Sequence, residues 1–403
     1  FFKQKTAYEI MPSLVGSEMC IRDRASNRSS IKDSEIPVFT YREDVHNHLH
    51  NHEERIGNQR IQNQISPHES AKCIVLEKGF EAELIAHEPD IVNPIDITWD
   101  DRGRMYVLET VQYPTIPKGK GNDRIKLCED TDADGILDKF TVFAEGFKLN
   151  TSICWVNGGI ILAQAPDMFF LKDTDGDNRA DVIEKINTGW GVGDLHGGPS
   201  NHKYSFDNKI YGCVGGGGHW SDETGRFSAG IWRMDADGSN FTPISNLGDN
   251  SWGLGISEDF EIFASTANKA PAKHVFAPYP YFESVGLRKV PAKSIYDYWT
   301  YYPLTITRQG DHFGGYTAGS NFDLYTARSF PKEYWNKAAF IGGPTGKLLG
   351  QFFLRPDDKG SYIAANGESL AASFDEYTAP IKGITGPDGN VYMLDWNLSL
   401  IHI

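Results

Sequence analysis

Polar and apolar positions alternate along this chain in short bursts, and one phrase recurs. A turn of Asp, Asn or Gly leads into a short apolar strand. The phrase occurs in "DDRGRMYVLE" from Asp100, "VNGGIILAQ" from Val156, "FDNKIYGCVG" from Phe206, "SEDFEIFAST" from Ser257 and "PDGNVYMLDW" from Pro387. A weaker copy is "NKAAFIGGPTG" from Asn336. The turns fall about 50 residues apart, except for one long gap after Thr266. Helical periodicity is scarce. Strands repeated at this interval predict an all-β fold, a β-propeller, in which small sheets bury their faces against one another around an axis. Six phrases predict six blades. The last blade is expected to be truncated, because propellers usually close by pairing strands from the two chain ends.

The pattern also divides the chain. The opening "FFKQKTAYEIMPSLVGSEMCIRDR" has neither a helical nor a strand period and reads as translated sequencing adapter, as does the closing "LSLIHI". Residues 1–24 and 398–403 are therefore expected to be artefactual, and the true termini to lie elsewhere. Residues 25–70 are polar and read as a linker. In "HNHLHNH", His46, His48, His50 and His52 alternate; they would share one face of a strand and could bind a transition metal, or simply be solvated. Residues 71–397 are the expected propeller. Its insertion at about 268–335 is rich in aromatic residues and Pro, and is expected over one mouth of the channel.

Composition narrows the function. The 403 residues are 40% hydrophobic with 41 Gly, a globular balance with many turns. A net charge of −15 disfavours nucleic acid and anionic membrane surfaces and favours cations. No apolar run is long enough for a transmembrane helix. Cys73, Cys128, Cys154 and Cys213 are scattered, with no CxxC, and do not read as a haem, zinc or obvious disulfide framework.

Two acidic nonamers answer the preference for cations. "DTDADGILD" sets Asp130, Asp132, Asp134 and Asp138 at the spacing D-x-D-x-D-G-x-x-D. "DTDGDNRAD", 43 residues later, repeats it with Asp173, Asp175, Asp177 and Asp181, and Asn178 in the Gly slot. Alternate carboxylates on a tight loop converge, and Ca²⁺ takes about six to eight oxygens. Gly135 or Asn178 would permit the left-handed turn, a carbonyl of Ile136 or Arg179 would add a ligand, and the last Asp would close the shell. The alternative is an Asx-turn hairpin with solvated carboxylates and no metal. Either way the interval places both loops at equivalent hairpin tips of successive blades. "DADG" at Asp235 reads as a plain turn.

Gly189–Trp220 is dense in glycine, which lets backbone approach a ligand, and carries His196, His202 and His219, candidate general bases. "LHGGPSNHKYSFDNKIYGCVGGGG" resembles the pattern of the soluble quinoprotein glucose/sorbosone dehydrogenases. That resemblance implies pyrroloquinoline quinone (PQQ) as cofactor and His196 as the base that takes the substrate hydroxyl proton. It also implies cations for the three carboxylates of PQQ. Where the family pattern has Arg ahead of "N-x-x-G-L", this chain has Asp249 before Asn250. Asn250, Trp252, Lys273 and Arg308 are the candidate cofactor contacts, with Arg288 and Lys289 as further cations.

A wider resemblance covers about Ser66–Trp396. "GFEAELIAHEPDIVNPIDITWDDRGRMYVLE", "RIKLCEDTDADGILDKFTVFAEG", "FLKDTDGDNRADV" and "APIKGITGPDGNVYMLDW" resemble the bacterial membrane-bound dehydrogenases of PVC-type, haem-binding CxxCH proteins. That implies a periplasmic or cell-envelope redox role, with a c-type haem domain outside this fragment. Trp190, Trp220, Trp252, Tyr279, Tyr281 and Trp299 could stack on sugar faces, with His274, Asp311 and His312 as polar partners, or could pack a loop against the mouth. Two functions follow: a quinoprotein-type dehydrogenase oxidising a sugar or other alcohol, or a non-catalytic, calcium-stabilised propeller that binds glycan or scaffolds a larger envelope redox protein.

Overall fold

The computed structural model describes residues 36–43, 60–113, 118–268, 270–296, 303–305 and 315–396. His46, His48, His50, His52, Trp299, Arg308, Asp311 and His312 lie outside them. Strands β1 (Tyr41–Glu43) and β2 (Arg60–Gln62) pair antiparallel. Helix α1 (Pro67–Ala71) follows, started by a Ser66–Glu69 capping box, and then β3 (Ile74–Leu76). Blade 1 is β4 (Pro94–Trp99), β5 (Met105–Glu109), β6 (Asp123–Glu129) and β7 (Lys139–Phe147). Blade 2 is β8 (Asn150–Val156), β9 (Gly159–Gln164), β10 (Asp167–Lys172) and β11 (Val182–Thr188). Blade 3 begins with β12 (Pro199–Tyr204) and β13 (Lys209–Val214). It then carries a hairpin, β14 (His219–Ser221) with β15 (Gly225–Phe227), and resumes with β16 (Gly230–Asp235) and β17 (Thr242–Asn246).

Blade 4 is β18 (Ser251–Ile256), β19 (Ile262–Thr266), β20 (Lys273–Val275) and β21 (Lys293–Ser294), with helix α2 (Tyr279–Ser284) between the last two. Blade 5 is β22 (Ser320–Leu324), β23 (Ala338–Gly343), β24 (Leu348–Pro356), β25 (Tyr362–Asn366) and β26 (Ala371–Ser373). A two-stranded sheet, β27 (Pro380–Thr385) with β28 (Val391–Asp395), comes last. The fold is thus all-β, a propeller of five blades with a smaller sheet between blade 5 and blade 1. The stretch 268–335 supplies the outer strands of blade 4, α2 and the first strand of blade 5. The chain's early strand β3 pairs with β26, Ala371 opposite Leu76, and so extends blade 5. Among the described residues no helix is long and apolar enough to cross a membrane.

The recurring phrase has one structural meaning. In all six sheets it is the turn between the first and second strands plus the second strand itself: β5, β9, β13, β19, β23 and β28. The turns use left-handed residues such as Gly103, Asn157, Asn208, Phe260, Asn336 and Gly389. The second strands of the blades bury both faces, which is why they read as nearly continuous apolar runs rather than as half-polar ones. On β5, Tyr106 and Leu108 pack toward blade 2 while Met105 and Val107 pack toward β27–β28. On β9, Ile160 and Leu162 face blade 1 while Ile161 and Ala163 face blade 3. Six apolar clusters of this kind fill the interfaces around the ring.

The first strands face the hub, and each carries a register shift near its start. The residues that resume pairing are Asp96, Ser152, Lys203, Gly253, Asp323 and Lys382. They form a girdle. Lys382 pairs with Asp96, which also accepts from Ser152 Oγ at 2.6 Å. Lys203 of blade 3 reaches Asp323 of blade 5, which accepts Thr385 N–H at 2.8 Å. These four charges are buried or nearly so, and each Lys has an Asp, as buried charges require. Asn201 and Asn321 sit in the bulges of blades 3 and 5 at φ 54° and 67°. Each donates its amide to the next sheet, to Trp252 O (2.9 Å) and Gly383 O (2.6 Å).

Candidate functional site

Because the strands run antiparallel, the ring has two unlike ends. Turns between strands one and two, and between three and four, emerge at one end. Links between strands two and three, and crossings between sheets, emerge at the other, here called the mouth. The acidic nonamers and the histidine loop therefore lie at opposite ends.

His196 lies in the crossing from β11 to β12, at the mouth. Its side chain is 68% exposed. Asp194 holds it: the His196 backbone N–H donates to Asp194 Oδ1 at 3.0 Å, and Nδ1 stands 3.5 Å from the same oxygen. Tyr113, from the link between β5 and β6, meets the imidazole edge-on at 5.6 Å between ring centres. Tyr113 in turn meets Trp396 at 5.7 Å. Burial, with Asp194 adding to it, pushes the Tyr113 hydroxyl up to about 12, so it stays protonated and can donate.

Several of the glycines here let one loop pack tightly against another. A Cβ on Gly191 would stand 2.0 Å from Gly217 O, and one on Gly197 2.6 Å from Gly216 N. Gly215 admits the side-chain oxygen of Asn250, 1.8 Å from where its own Cβ would be. These three glycines pack loop against loop around Asp194 and His196.

The other two histidines of this stretch are buried. His202 points into the blade 2–blade 3 side of the hub, edge-on to Trp232 at 5.3 Å, and neither ring nitrogen has a hydrogen-bond partner among the described residues. Burial drives its pKa down to about 3, so it is neutral. His219 stacks on Phe241 at 3.9 Å and contacts Thr188 O through Nε2. Trp190, 1% exposed, sits in the same cluster, so it is core rather than a sugar platform. His274 is likewise buried, bridging Ser361 and Glu261 between blades 4 and 5. Trp220 and Tyr281 are exposed, and Tyr279 lies under the Lys289 ammonium at 5.2 Å.

Of the candidate cofactor contacts, Asn250 receives Gly216 N–H at 3.3 Å. Trp252 occupies the bulge of β18, half-buried. Lys273, on β20, has its pKa lowered by burial, against the opposing pull of Asp249. PQQ is a planar tricarboxylate. Lys273 shares its charge with Asp249, and Asp194 is the charged neighbour of His196. Neither Lys273 nor Asn250 therefore offers a free cation to the carboxylates of that cofactor.

The acidic loops share most of their hydrogen bonds. They are the links between strands three and four of blades 1 and 2. Asp130 accepts from Ala133 and Gly135 N–H at 2.7 and 2.9 Å; Asp173 accepts from Gly176 and Asn178 N–H at 2.7 and 2.9 Å. Ala133, Gly135, Gly176 and Asn178 are all left-handed. Carboxylate oxygens of Asp130, Asp132 and Asp134 can all lie within 4.8 Å of one another, as can those of Asp173, Asp175 and Asp177. The Gly135 amide above all holds the Asp130 pKa below its ordinary value. Ile136 and Arg179 donate N–H to Asp134 and Asp177, both at 2.8 Å. Asp138 and Asp181 do not join the trios. Each clamps the loop base by accepting from Thr131 or Thr174, N–H and hydroxyl alike. The donor set is all hard oxygen, which suits Ca²⁺. Asp235, at the equivalent link of blade 3, is instead paired with Lys209 and Asn240.

Solved structures share the fold. The PQQ domain of a pyranose dehydrogenase from Coprinopsis cinerea, in its holo form, is 14% identical. The match covers 80% of this chain and 94% of that one, with a TM-score of 0.53. Iodide and calcium structures of a Trichoderma reesei carbohydrate-active enzyme of family AA12 are each 13% identical over 80% of this chain. They cover 95% and 94% of theirs, with TM-scores of 0.54 and 0.53. At such identities the likeness is one of fold. No match was found among curated proteins. A family model described as "Domain of unknown function (DUF7133)" matches residues 66–402, reaching into the tail read as artefact, and the chain belongs to that family.

Proposed function

We propose that this chain is the propeller of a sugar- or alcohol-oxidising enzyme, with His196 as the base that takes the proton of the substrate hydroxyl. One observation carries the reading. Of the three histidines in the glycine-dense stretch, His196 alone is exposed, and it stands at the mouth, held at its backbone by Asp194 beside a neutral Tyr113. The Asp194 carboxylate, 3.5 Å from Nδ1, favours the imidazolium formed when Nε2 accepts a proton. Tyr113, half-buried and backed by the buried Trp396, offers a ring edge against which a sugar can rest. The oxidation would need a two-electron acceptor such as a quinone cofactor; Lys273 and Asn250 do not supply the cations that PQQ would need, so no hydride step is derived from them. We further read β27–β28 as the inner half of a sixth blade, because it shares the bulge, the turn and the girdle residue of the other five. The aspartate trios are read as Ca²⁺ loops that stiffen blades 1 and 2. A periplasmic or envelope setting, with a haem partner, is the natural context for such an oxidation.

A second reading is favoured by Asp249, an anion where the quinoprotein pattern has a cation: a non-catalytic, calcium-stabilised propeller that binds glycan. Dye reduction with a sugar panel, run with and without PQQ and Ca²⁺, separates the two. The enzyme reading expects saturable turnover that falls by about 10²-fold or more in His196→Ala. Saturable sugar binding without any turnover in the full-length protein would favour the second reading.

A further inference from the structure

The rim of blade 1 departs from the charge of the rest of the molecule. The chain carries −15 overall, yet "KGKGNDRIK" from Lys118 puts four cations in nine residues. Lys148 joins them, its Nζ 3.4 Å from Gly119 O. Between the β5–β6 link and the end of β7 lies a cleft of about 470 Å³, lined by Val111, Lys120, Arg124, Glu145 and Gly146 among others. That is room for a monosaccharide, in the size range of small-ligand sites.

The two cations lining it are positioned, and each keeps donors free among the described residues. A Cβ on Gly146 would lie 1.9 Å from Lys120 Cε, so the lysine stem runs across a gap that only glycine leaves. Lys120 Nζ makes no hydrogen bond among the described residues. Arg124 is anchored by Nε on Glu109, a fully buried carboxylate that also accepts Val92 N–H at 2.7 Å and faces Lys126 Nζ at 3.1 Å. The two terminal amino groups of Arg124 make no hydrogen bond among the described residues. A guanidinium fixed at Nε and open at its other edge presents a fork that pairs with two oxygens of an oxyanion. Glu145, opposite Arg124 in the β6–β7 register, is the one carboxylate of the lining. It can accept hydroxyl protons but would repel an anion.

From this arrangement we infer that the cleft binds the oxyanion of an acidic saccharide, a uronate carboxylate or a sulfate ester, through Lys120 and Arg124. Glu145 takes a ring hydroxyl. The cleft adjoins the reaction site along the chain: Val111 lines it, and Tyr113, on the same link, touches His196. The cleft assignment is independent of any oxidation. That an acidic saccharide is also the substrate rests on the reading of His196 given above.

Direct binding tests it on the full chain, by calorimetry at low salt with glucuronate, glucose 6-sulfate, glucose and inorganic sulfate. At least one charged sugar is expected to bind about tenfold or more tighter than glucose, and the preference to shrink in Lys120→Gln and Arg124→Lys. Arg124→Lys keeps a cation for Glu109 and loses the fork. Glu145→Gln should tighten charged sugars. Whichever charged sugar wins names the source of the oxyanion. Equal binding of all three sugars, or a preference untouched by both cation variants, overturns the inference. Sulfate binding as tightly as its sugar ester overturns the saccharide part. Loss of turnover in His196→Ala bears on the enzyme reading and leaves this one standing.

Discussion

His202 makes this fold acid-labile, and the size of the effect can be worked out. Its imidazole is buried at the hub with no partner for either nitrogen among the described residues, and its pKa falls to about 3. In the unfolded chain a histidine titrates near 6.5. As pH falls below about 6.5, the unfolded chain takes up a proton that the folded chain refuses until about pH 3, so stability drops through that window. Complete, the loss approaches about 5 kcal/mol, and between pH 7.5 and pH 5 it is about 2 kcal/mol. Blade 5 supplies the comparison. Asn321, Phe322 and Asp323 occupy the bulge positions that Asn201, His202 and Lys203 occupy in blade 3, and Phe322 is fully buried. His202→Phe should therefore be tolerated and should remove the slope. Urea unfolding followed by tryptophan fluorescence at pH 7.5, 6 and 5 reads it, and every other titrating group cancels in the difference between the two proteins. Crowding against Gly212 and Trp232 can lower the variant's absolute stability, but not its pH slope. Equal losses in wild type and variant would refute the burial argument.

Three further outcomes follow. Ala133 holds φ 62° where its counterpart in blade 2 is Gly176, so Ala133→Gly should stabilise by about 1 kcal/mol in thermal or urea unfolding. Leu162 is fully buried between blades 1 and 2, and Leu162→Ala should cost about 2–5 kcal/mol, read as a lowered urea midpoint. Millimolar Ca²⁺ should raise the melting temperature, by about 2.7 kcal/mol of stability at a hundredfold excess over the dissociation constant; Asp132→Ala with Asp175→Ala should abolish the shift, and no shift in the wild type would remove calcium from the account.

What is local was legible in the sequence. Asx turns and left-handed Asn or Gly act within a few residues, so the residue order alone locates the strand-one to strand-two hairpins and both acidic loops. It does not reveal the Asp138 and Asp181 clamps, because a threonine partner and a metal demand the same carboxylate at the same spacing. What is long-range stayed hidden. Nothing local says that Trp190 and His274 are core, or that Tyr113 comes to His196. The same holds for β3, which adds itself to blade 5, and for Lys203, which spans the hub to Asp323. One sign of the hub does lie in the residue order: "SNHKYSF" and "SNFDLYT" share the Ser-Asn start that forms the bulge in blades 3 and 5. The basic run from Lys118 is also visible as a run, but the cleft beneath it is not.

The account turns on whether the mouth imidazole handles a substrate proton. The most direct test is the pH profile of kcat/KM for sugar oxidation by the full-length protein, assayed with and without added PQQ and Ca²⁺, beside His196→Ala and Asp194→Asn. The account predicts an activity that requires one deprotonated group in wild type, a fall of about 10²-fold or more in His196→Ala, and a smaller fall with a displaced profile in Asp194→Asn. Undiminished turnover and an unchanged profile in His196→Ala would contradict it.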